Sequence, residues 1–448
     1  MSGSSLFGRA QLKRLTSDYG MLSVLLLLCV LFSILTLDEQ FPTGKAAAVS
    51  VYETQLCRLP ASTKVIAVGA GSAQDSLFTL ELSKRFPNAN IGVVNGDPQA
   101  IRVFLEHSVN SSDDRLVIAT TNAVASVVMA IKAQVASLQS AEVVSPQSQR
   151  WPTFLLAENI RNVANQITVI AIIAIGMTIV IISAGIDLSV GSLIALCAVI
   201  VTWLIGQWGA ESAATGAMLG AAVIGIVLCG AVGAFSGVMI TRFRIPPFIA
   251  TLAMMQVAAG IGYIISQGRP IYQIPDSFIW LGRGTDPFFG IPTAVILMIL
   301  LYAIAHIMMS RTTLGRYIYA VGGNPEAARL AGIRVNAILL FAYTVCAMLA
   351  GLGGVLMASQ LKSGAPTYGL SYELYVIAAV VVGGTSLSGG EGRILGTLIG
   401  ALIIGVIQNG MNLVNVESYT QKVVLGLVIL GAVLLDRLKQ RRMASTRT

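Results

Sequence analysis

The sequence is organised around repeated runs of apolar residues, most of them long enough to cross a lipid bilayer as a helix. A helical span needs about 20 predominantly apolar residues. Such runs lie near 20–37, 164–183, 189–207, 214–240, 246–266, 291–310, 336–358, 372–383, 394–413 and 419–435. Charged residues make up only 11% of the chain, against about 25% in a soluble domain. The sequence therefore predicts an all-α polytopic membrane protein with about ten transmembrane helices.

The basic residues are distributed unevenly between the two sides of this arrangement. With both termini on one side, 15 lysines and arginines lie on that side, whereas the short loops on the other side hold four. Cytoplasmic loops of membrane proteins carry such an excess. We therefore expect both termini in the cytoplasm. The net charge of +8 then reflects membrane topology and does not indicate a nucleic-acid partner.

Two of the ten segments allow a second interpretation. Segment 373–384 has only about ten strongly apolar residues, or about 15 Å of helix, so it either spans fully or forms a broken or re-entrant helix. The first run follows Lys13 and Arg14, as in a signal peptide, and a possible cleavage site lies at 46–48. However, the run is longer than the 7–15 apolar residues usual in a signal peptide. We therefore favour an uncleaved membrane anchor.

Residues 45–150 differ in pattern from the sequence around them, because short apolar strands alternate with amphipathic helices. Strands are predicted at 64–69, 90–94 and 115–120, and helices at 75–86, 98–108 and 123–138. This alternation predicts a small extracytoplasmic α/β insert after the first helix. The expected organisation is a tail with the first transmembrane helix over 1–44, the insert over 45–150, a transmembrane domain over 151–440 and a basic cytoplasmic tail over 441–448.

The motifs of nucleotide-binding proteins are incomplete. GAGSAQ (69–74) follows the first predicted strand of the insert, but Gln74 replaces the third glycine of the dinucleotide fingerprint, which favours a simple turn. The GKA at 44–46 lacks both the upstream glycine and the hydroxyl residue of a P-loop. The two histidines and five cysteines have no metal-ligand spacing. We therefore expect no enzymatic activity, no catalytic or metal site and no cofactor in this chain.

A short helix is predicted in the cytoplasmic loop VGGNPEAARLAGI (321–333). Asparagine is a favourable N-cap residue, and proline is favourable at the first helical position. A glutamate in the first turn complements the positive end of the helix dipole, and a glycine is favourable just after the helix. An isolated helix of about two turns is marginal in water, so we expect its alanine face to dock on something. That surface is either the same protein or a partner ATPase. The residues concerned are Asn324, Pro325, Glu326, Ala327, Ala328, Arg329 and Gly332, with Ala331 on the same face.

The segment GIDLSVGS (185–192) places an acid between two apolar runs. A charged aspartate at a helix centre costs about 2.5–3.5 kcal/mol on insertion scales, and the neighbouring glycine and serines indicate a chain break before a new helix. We predict that Asp187 is the N-cap of this helix and accepts the amide hydrogen of Ser189 or Val190. Irregular backbone at membrane depth also lines cavities. Direct substrate contact by Asp187 is therefore the alternative.

A second stretch, TSLSGGEG (385–392), repeats this pattern before the apolar run at 394–413. It predicts another helix break, with Glu391 at the start of the following helix. The candidate residues of the two breaks, for helix interruption or for the translocation path, are Asp187, Ser189, Gly191, Ser192, Ser386, Ser388 and Glu391.

Three stretches resemble the permease subunits of bacterial ABC importers for monosaccharides of the ribose, xylose and galactose type. They are GMTIVIISAGIDLSVGS (176–192), AVGGNPEAARLAGI (320–333) and YELYVIAAVVVGGTSLSGGEGRILGTLIGA (372–401). The resemblance covers about 151–440 and the first span. It implies a fold related to the cobalamin-importer type and a homodimeric pore among the lipids of the bacterial cytoplasmic (inner) membrane. It also implies cytoplasmic ATP-binding subunits and a periplasmic sugar-binding protein as partners.

Two features depart from the family pattern. Tyr375 and Val376 stand where the family commonly has Asp-Ala, so the family's acidic group, and any pathway role that depends on it, is missing at that position. The insert 45–150 has no counterpart in the usual short outer loop. We interpret it as a periplasmic docking or gating module that binds no sugar itself. The alternative is an insertion without a role, because long surface insertions cost little closure entropy.

Three function classes are compatible with this pattern, and a permease subunit of an ATP-driven importer of monosaccharides leads. A proton-coupled secondary transporter, or a channel for small polar solutes, is the first alternative, but few ionisable groups lie in the spans. A membrane-anchored sensor that uses the outer domain is the second. A sensor needs a cytoplasmic output module, and we expect the segment 436–448 to be too short for one.

Overall fold

The computed structural model of the protein describes residues 20–445, apart from 61–62, 87–90, 109–114 and 289, and it describes side chains as far as residue 434. The predicted cytoplasmic tail 1–19 and the last three residues of the tail 441–448 lie outside this range. The chain divides into two compact units, one running to Thr36 and resuming at Phe154, and the other covering Leu37–Thr153. The first unit begins with helix α1 (Gly20–Leu35).

The unit Leu37–Thr153 is built around a parallel sheet. Its elements are β1 (Leu37–Gln40), α2 (Gly44–Val51), β2 (Lys64–Gly69), α3 (Ala73–Arg85), β3 (Ile91–Asn95), α4 (Pro98–Ser108), β4 (Leu116–Thr120), α5 (Asn122–Gln134), β5 (Glu142–Val144) and β6 (Gln149–Pro152). The sheet order is β3-β2-β4-β5, and β1 pairs with β6 separately and antiparallel. All three predicted strands and all three predicted helices are present. The sequence prediction missed α2, β5 and the β1–β6 pair.

Both faces of this sheet are covered by apolar side chains. Residues of KVIAVG (64–69) and LVIAT (116–120) point alternately to the two sides. One face packs against Phe78 of α3, and the other packs against Ile101 of α4 and Val128 of α5. Parallel strands that are buried on both faces need nearly continuous apolar runs. These two segments supply such runs, which is why their strands were evident in the sequence.

The first unit continues as a helical bundle after β6. Its helices are α6 (Ala157–Ile182), α7 (Val190–Gln207), α8 (Thr215–Arg242), α9 (Pro247–Ser266), α10 (Trp280–Arg283), α11 (Thr293–Arg311), α12 (Thr313–Gly323), α13 (Pro325–Leu330), α14 (Val335–Leu361), α15 (Tyr372–Val382), α16 (Ile394–Leu413) and α17 (Ser418–Ser445). Seven of the described helices are long and apolar enough to cross a membrane, namely α6, α7, α8, α9, α11, α14 and α16. Shorter apolar helices are α1, α15 and the first part of α17.

Burial separates central from peripheral helices. In the most apolar window of α6, 89% of the residues are buried inside the protein, against 22% in α9. A helix that is apolar on all sides belongs in the interior of a large protein or in lipid. Helix α6 is therefore at the centre of the bundle, whereas α9 exposes an apolar surface suited to lipid. Helix α15 has 11 residues, about 16 Å of helix, and is too short to cross a bilayer alone.

Candidate coupling and translocation site

The first predicted helix break is present between α6 and α7. Helix α6 ends at Ile182, and the next residues turn sharply, with Ala184 in the left-handed region at φ +63°. Asp187 is completely buried in this turn. Its Oδ1 accepts hydrogen bonds from the Ser189 amide at 2.9 Å and from the Ser189 hydroxyl at 2.6 Å. The predicted bond to the Ser189 amide is thus confirmed.

The N-cap assignment of Asp187 needs correction. Helix α7 begins at Val190 and its N-cap is Ser189, so Asp187 lies two residues before the cap. The reason is the backbone of Ser189, which already has near-helical dihedrals (φ −77°, ψ −13°). Asp187 therefore closes a turn in front of the helix, as aspartate side chains do when they bond to the backbone two residues on.

Helix α14 covers the buried acid with two side chains that the sequence analysis did not single out. The hydroxyl of Tyr343 lies against Gly185, where any added side chain would collide with it. The Cys346 thiol faces the carboxyl group of Asp187. Among the described residues, neither Asp187 Oδ2 nor the Tyr343 hydroxyl has a hydrogen-bond partner. Tyr343 lies within an apolar run, so no local sequence signal marked it.

The second predicted break is present between α15 and α16. The loop at 383–393 turns through glycines in the left-handed region, with Gly384 at φ +85°, Gly389 at φ +81° and Gly390 at φ +74°. A residue with a Cβ is strained in that region, which explains the glycine-rich sequence. The Ser386 amide donates to the Glu391 carbonyl at 3.1 Å, and the Ser386 hydroxyl accepts from the Ser388 amide at 3.2 Å.

The position predicted for Glu391 is wrong by a short distance. Helix α16 begins at Ile394 with Arg393 as its N-cap, so Glu391 precedes the cap and its side chain is exposed. The extended backbone of Arg393 (φ −141°, ψ 131°) delays the helix start.

The remaining two candidates, Gly191 and Ser192, lie at the start of α7. Gly191 is buried and Ser192 half-buried, and a Cβ on Gly191 would stand 2.6 Å from the Gly369 carbonyl oxygen.

The short helix predicted in the loop 321–333 is confirmed as α13. Asn324 is its N-cap, and the side-chain oxygen accepts the amides of Glu326 and Ala327, each at 3.0 Å. Pro325 occupies the first position. Arg329 pairs with Glu326 at 3.0 Å one turn away, and Gly332 follows the helix at φ +83°.

The expected alanine face of α13 is only partly correct. Ala328 is 4% exposed and packs on the bundle, whereas Ala327 and Ala331 are exposed. Ala328 is thus the residue through which α13 packs on its neighbours, and most of its other side chains are exposed. Leu330, at 90% exposure, is the clearest apolar side chain on that outward surface.

The three motif segments meet at one place, which we call the junction. It comprises the end of α6, the glycine loop at 383–393 and the last turn of α12. The Gly390 amide donates to the Ile182 carbonyl at 2.8 Å, and the Tyr319 hydroxyl of α12 donates to the Gly392 carbonyl at 2.8 Å. A Cβ on Gly322 of α12 would stand 2.7 Å from the Gly390 nitrogen. The backbones therefore touch directly, and α13 follows immediately after α12.

Comparisons with known proteins match this bundle to transport proteins. The family described as branched-chain amino acid transport system, permease component, matches residues 159–433. The ribose import permease protein RbsC of Escherichia coli is 46% identical over 293 residues, which are 64% of this chain and 88% of that protein. The D-allose permease AlsC of Escherichia coli is 37% identical over 285 residues, 64% of this chain and 85% of that protein.

The L-arabinose transport system permease protein AraH of Escherichia coli is 37% identical over 290 residues, 65% of this chain and 86% of that protein. No solved structure matches the chain significantly. The relatives confirm the resemblance to permeases of monosaccharide importers that the three motif segments indicated. Since the family model covers more than half of the sequence, the chain belongs to the family of permease components of the branched-chain amino acid transport system type.

Proposed function

We propose that this chain is the transmembrane permease subunit of an ATP-driven importer of monosaccharides in the bacterial inner membrane. Two copies would form the pore, a separate cytoplasmic subunit would hydrolyse ATP, and a periplasmic protein would deliver the sugar. The observation that carries this proposal is the junction, because it connects an outward-facing, well-capped helix to both helix breaks. The relatives named for ribose, D-allose and L-arabinose transport support the sugar class.

We assign ten membrane segments to the bundle, with α1, α15 and α17 added to the seven long apolar helices; α15 enters the membrane but is too short to cross it alone. Both termini would lie in the cytoplasm and residues 45–150 outside it. The distribution of lysine and arginine, 15 against four in the short loops, supports this orientation. Helix α13 and the junction then lie on the cytoplasmic side, where an ATPase subunit reaches them.

Coupling would work by displacement of packed backbone. An ATPase that binds the outward surface of α13 would push on α12, and α12 would move the glycine loop and the end of α6 together. Tightly packed contacts switch between discrete arrangements and do not deform gradually, so a small shift at one end can be passed on to the next element. Asp187 and Ser189 are fully buried, so we assign them to holding the α6–α7 turn in shape rather than to direct sugar contact.

For the insert we propose a docking or gating role at the periplasmic face, without a sugar site of its own. Its four-stranded sheet forms one layered domain with an apolar core on each face. A cleft between two such lobes needs a second domain. Calorimetry on residues 37–153 should therefore show no heat with D-ribose, whereas sugar binding would favour the sensor alternative.

The test of the proposed function is reconstitution. The purified chain alone should hydrolyse no ATP, and vesicles with its ATPase and binding protein should show D-ribose-stimulated hydrolysis and uptake. ATP hydrolysis by this polypeptide alone would contradict the proposal. Uptake of sugar by the chain without any ATPase would instead favour a secondary transporter or channel.

A further inference from the structure

A second feature of the bundle is a polar cavity of about 170 Å³ between α6, α15, α16 and α17, which is open to the surface of the chain at Gln166 and Asn412, both exposed residues. Its lining consists almost entirely of amide and phenol side chains, with Ile170 as the apolar member. The polar residues are Gln166, Tyr372, Tyr375, Gln408, Asn412 and Gln421. Polar groups within transmembrane segments are expensive and usually face a bundle interior or a water-filled cavity. Tyr372, Asn412 and Gln421 lie in the terminal turns of their helices, whereas Gln166 and Gln408 lie further inside the spans. The two glutamines are therefore the part of the lining that most clearly indicates a functional cavity.

The cavity lies far from the junction. Gln166 precedes Ile182 by 16 residues on α6, which is about 24 Å along the helix axis. Asn412 lies at the end of α16 that is remote from the glycine loop. Under the proposed orientation, the cavity is on the periplasmic half of the bundle, where a solute would enter. The junction does not share any residue with it.

The lining residues that the structure describes can form several hydrogen bonds, and none of them carries a charge. Gln421 Nε2 donates to Asn412 Oδ1 and to the Val416 carbonyl, both at 2.8 Å, which fixes one wall. Among the described residues, no protein group bonds to the side chain of Gln166, which is exposed, or to that of Gln408, which is half-buried. Each amide offers two donors and an acceptor. Two amides are therefore available to a solute in the cavity.

The aromatic part of the lining completes the pattern. The rings of Tyr372 and Tyr375 lie 6.0 Å apart at 67° to each other, so they form an angled wall with apolar faces and polar hydroxyl ends. A monosaccharide has the matching chemistry, because hydroxyl groups surround a ring that also has apolar C–H faces. An amino acid needs partners for its carboxylate and ammonium groups, and the lining has no charged side chain.

We propose that this cavity binds one neutral monosaccharide during transport, with Gln166 and Gln408 bonding its hydroxyl groups and the tyrosine pair packing on its C–H face. The proposal rests on the proposed function and adds the place in the chain where the sugar is selected. Tyr375 is the position where the sequence departs from the Asp-Ala pattern of monosaccharide importer permeases. The departure therefore falls in the lining and is expected to alter which sugars pass.

Thiol labelling of the full chain in membrane vesicles tests the cavity without any partner protein. Gln166→Cys and Gln408→Cys would be made in a background with Cys29→Ser and Cys57→Ser and treated with a water-soluble methanethiosulfonate. The matched control is Val227→Cys, on the exposed apolar face of α8 at 56% exposure. Only a thiolate in contact with water reacts readily. We expect the two cavity cysteines to react about tenfold faster or more than the control.

Protection by solute identifies the ligand class. D-ribose or L-arabinose should slow labelling of both cavity cysteines, whereas L-leucine at the same concentration should not. If the cavity cysteines were labelled as slowly as the Val227→Cys control, water would not reach the cavity and the proposal would be wrong. Labelling that no sugar slows, or that L-leucine alone slows, would overturn the sugar site.

A transport measurement separates this proposal from the proposed function. In the assembled importer, Gln408→Ala should raise the KM for sugar uptake about three- to tenfold, the usual effect of one lost neutral hydrogen bond, with copurification of the ATPase unchanged. An unchanged KM and an unchanged sugar preference would count against the site. If the assembled wild-type importer transports no sugar, the proposed function fails, while sugar protection in the labelling experiment still decides the cavity.

Discussion

Gly322 offers the sharpest test of the junction. A Cβ at this position would overlap the Ile182 carbonyl oxygen and would stand 2.7 Å from the Gly390 nitrogen. Both are backbone atoms, so no side-chain rotation relieves the overlap. Extra methyl groups in a packed interior cost about 1–3 kcal/mol. If Gly322→Ala destabilises the packed arrangement of the junction relative to the arrangement that we propose it adopts during coupling, an energy of this size shifts the equilibrium between the two about 5- to 150-fold.

The adjacent residue provides the control. Gly323 is also in the last turn of α12, and a Cβ there would meet nothing within 4 Å. Gly323→Ala should leave transport and stability intact, because the added methyl group meets nothing at this last position of the helix. Both variants should be compared for expression, for ATPase copurification, and for sugar uptake per ATP hydrolysed in reconstituted vesicles.

The expected result is specific to coupling. Gly322→Ala should retain the ATPase, since α13 is untouched, but should lower uptake per ATP at least about fivefold. Gly390→Ala should behave similarly, because Gly390 has φ +74° and its Cβ would stand 2.9 Å from the Gly323 Cα. Equal behaviour of Gly322→Ala and Gly323→Ala would refute the argument that backbone contact at the junction matters.

Three further predictions follow from the same geometry. Asn324→Ala removes the cap of α13 and should cost about 1 kcal/mol of local stability, seen as weaker ATPase copurification, whereas Asn324→Asp should behave like the wild type. Asp187→Asn keeps an acceptor for Ser189 and should be tolerated in thermal unfolding and uptake, whereas Asp187→Ala should lose about 1–3 kcal/mol; equal damage would show that the charge itself is needed. Leu330→Ser, at an exposed position, should leave the permease stable but weaken ATPase binding measured by pull-down, and normal binding would place the ATPase contact elsewhere.

Local signals explain which features were predictable from the sequence. The residues that begin and end α13, from Asn324 to Gly332, lie within nine positions of one another. The local sequence pattern was therefore sufficient to predict this helix. The helix breaks were also visible, because glycine, serine and acid residues interrupt apolar runs. Their exact helix starts were not, since the backbone conformations of Ser189 and Arg393 depend on tertiary packing.

Long-range contacts explain what the sequence did not show. The bond between Ile182 and Gly390 joins residues more than 200 positions apart, and a backbone contact leaves no side-chain signature at either end. Tyr343 was missed because a tyrosine in an apolar run is consistent with ordinary core packing. The polar cavity was missed because its residues come from four helices that are far apart in the sequence, and each helix contributes only one or two of them.

The short helix α15 has a consequence for biogenesis. Its 11 residues cover about half of the ~30 Å hydrocarbon core, and backbone groups at its end must find partners inside the protein because lipid supplies none. Helices α6 and α16 pack against it. A nascent chain that has emerged only to α15 has α6 but not α16 to pack against this segment. Stable insertion of α15 therefore depends on α16, and we expect the two helices to enter the membrane in one cooperative step. Chains truncated between them should be removed by quality-control proteolysis.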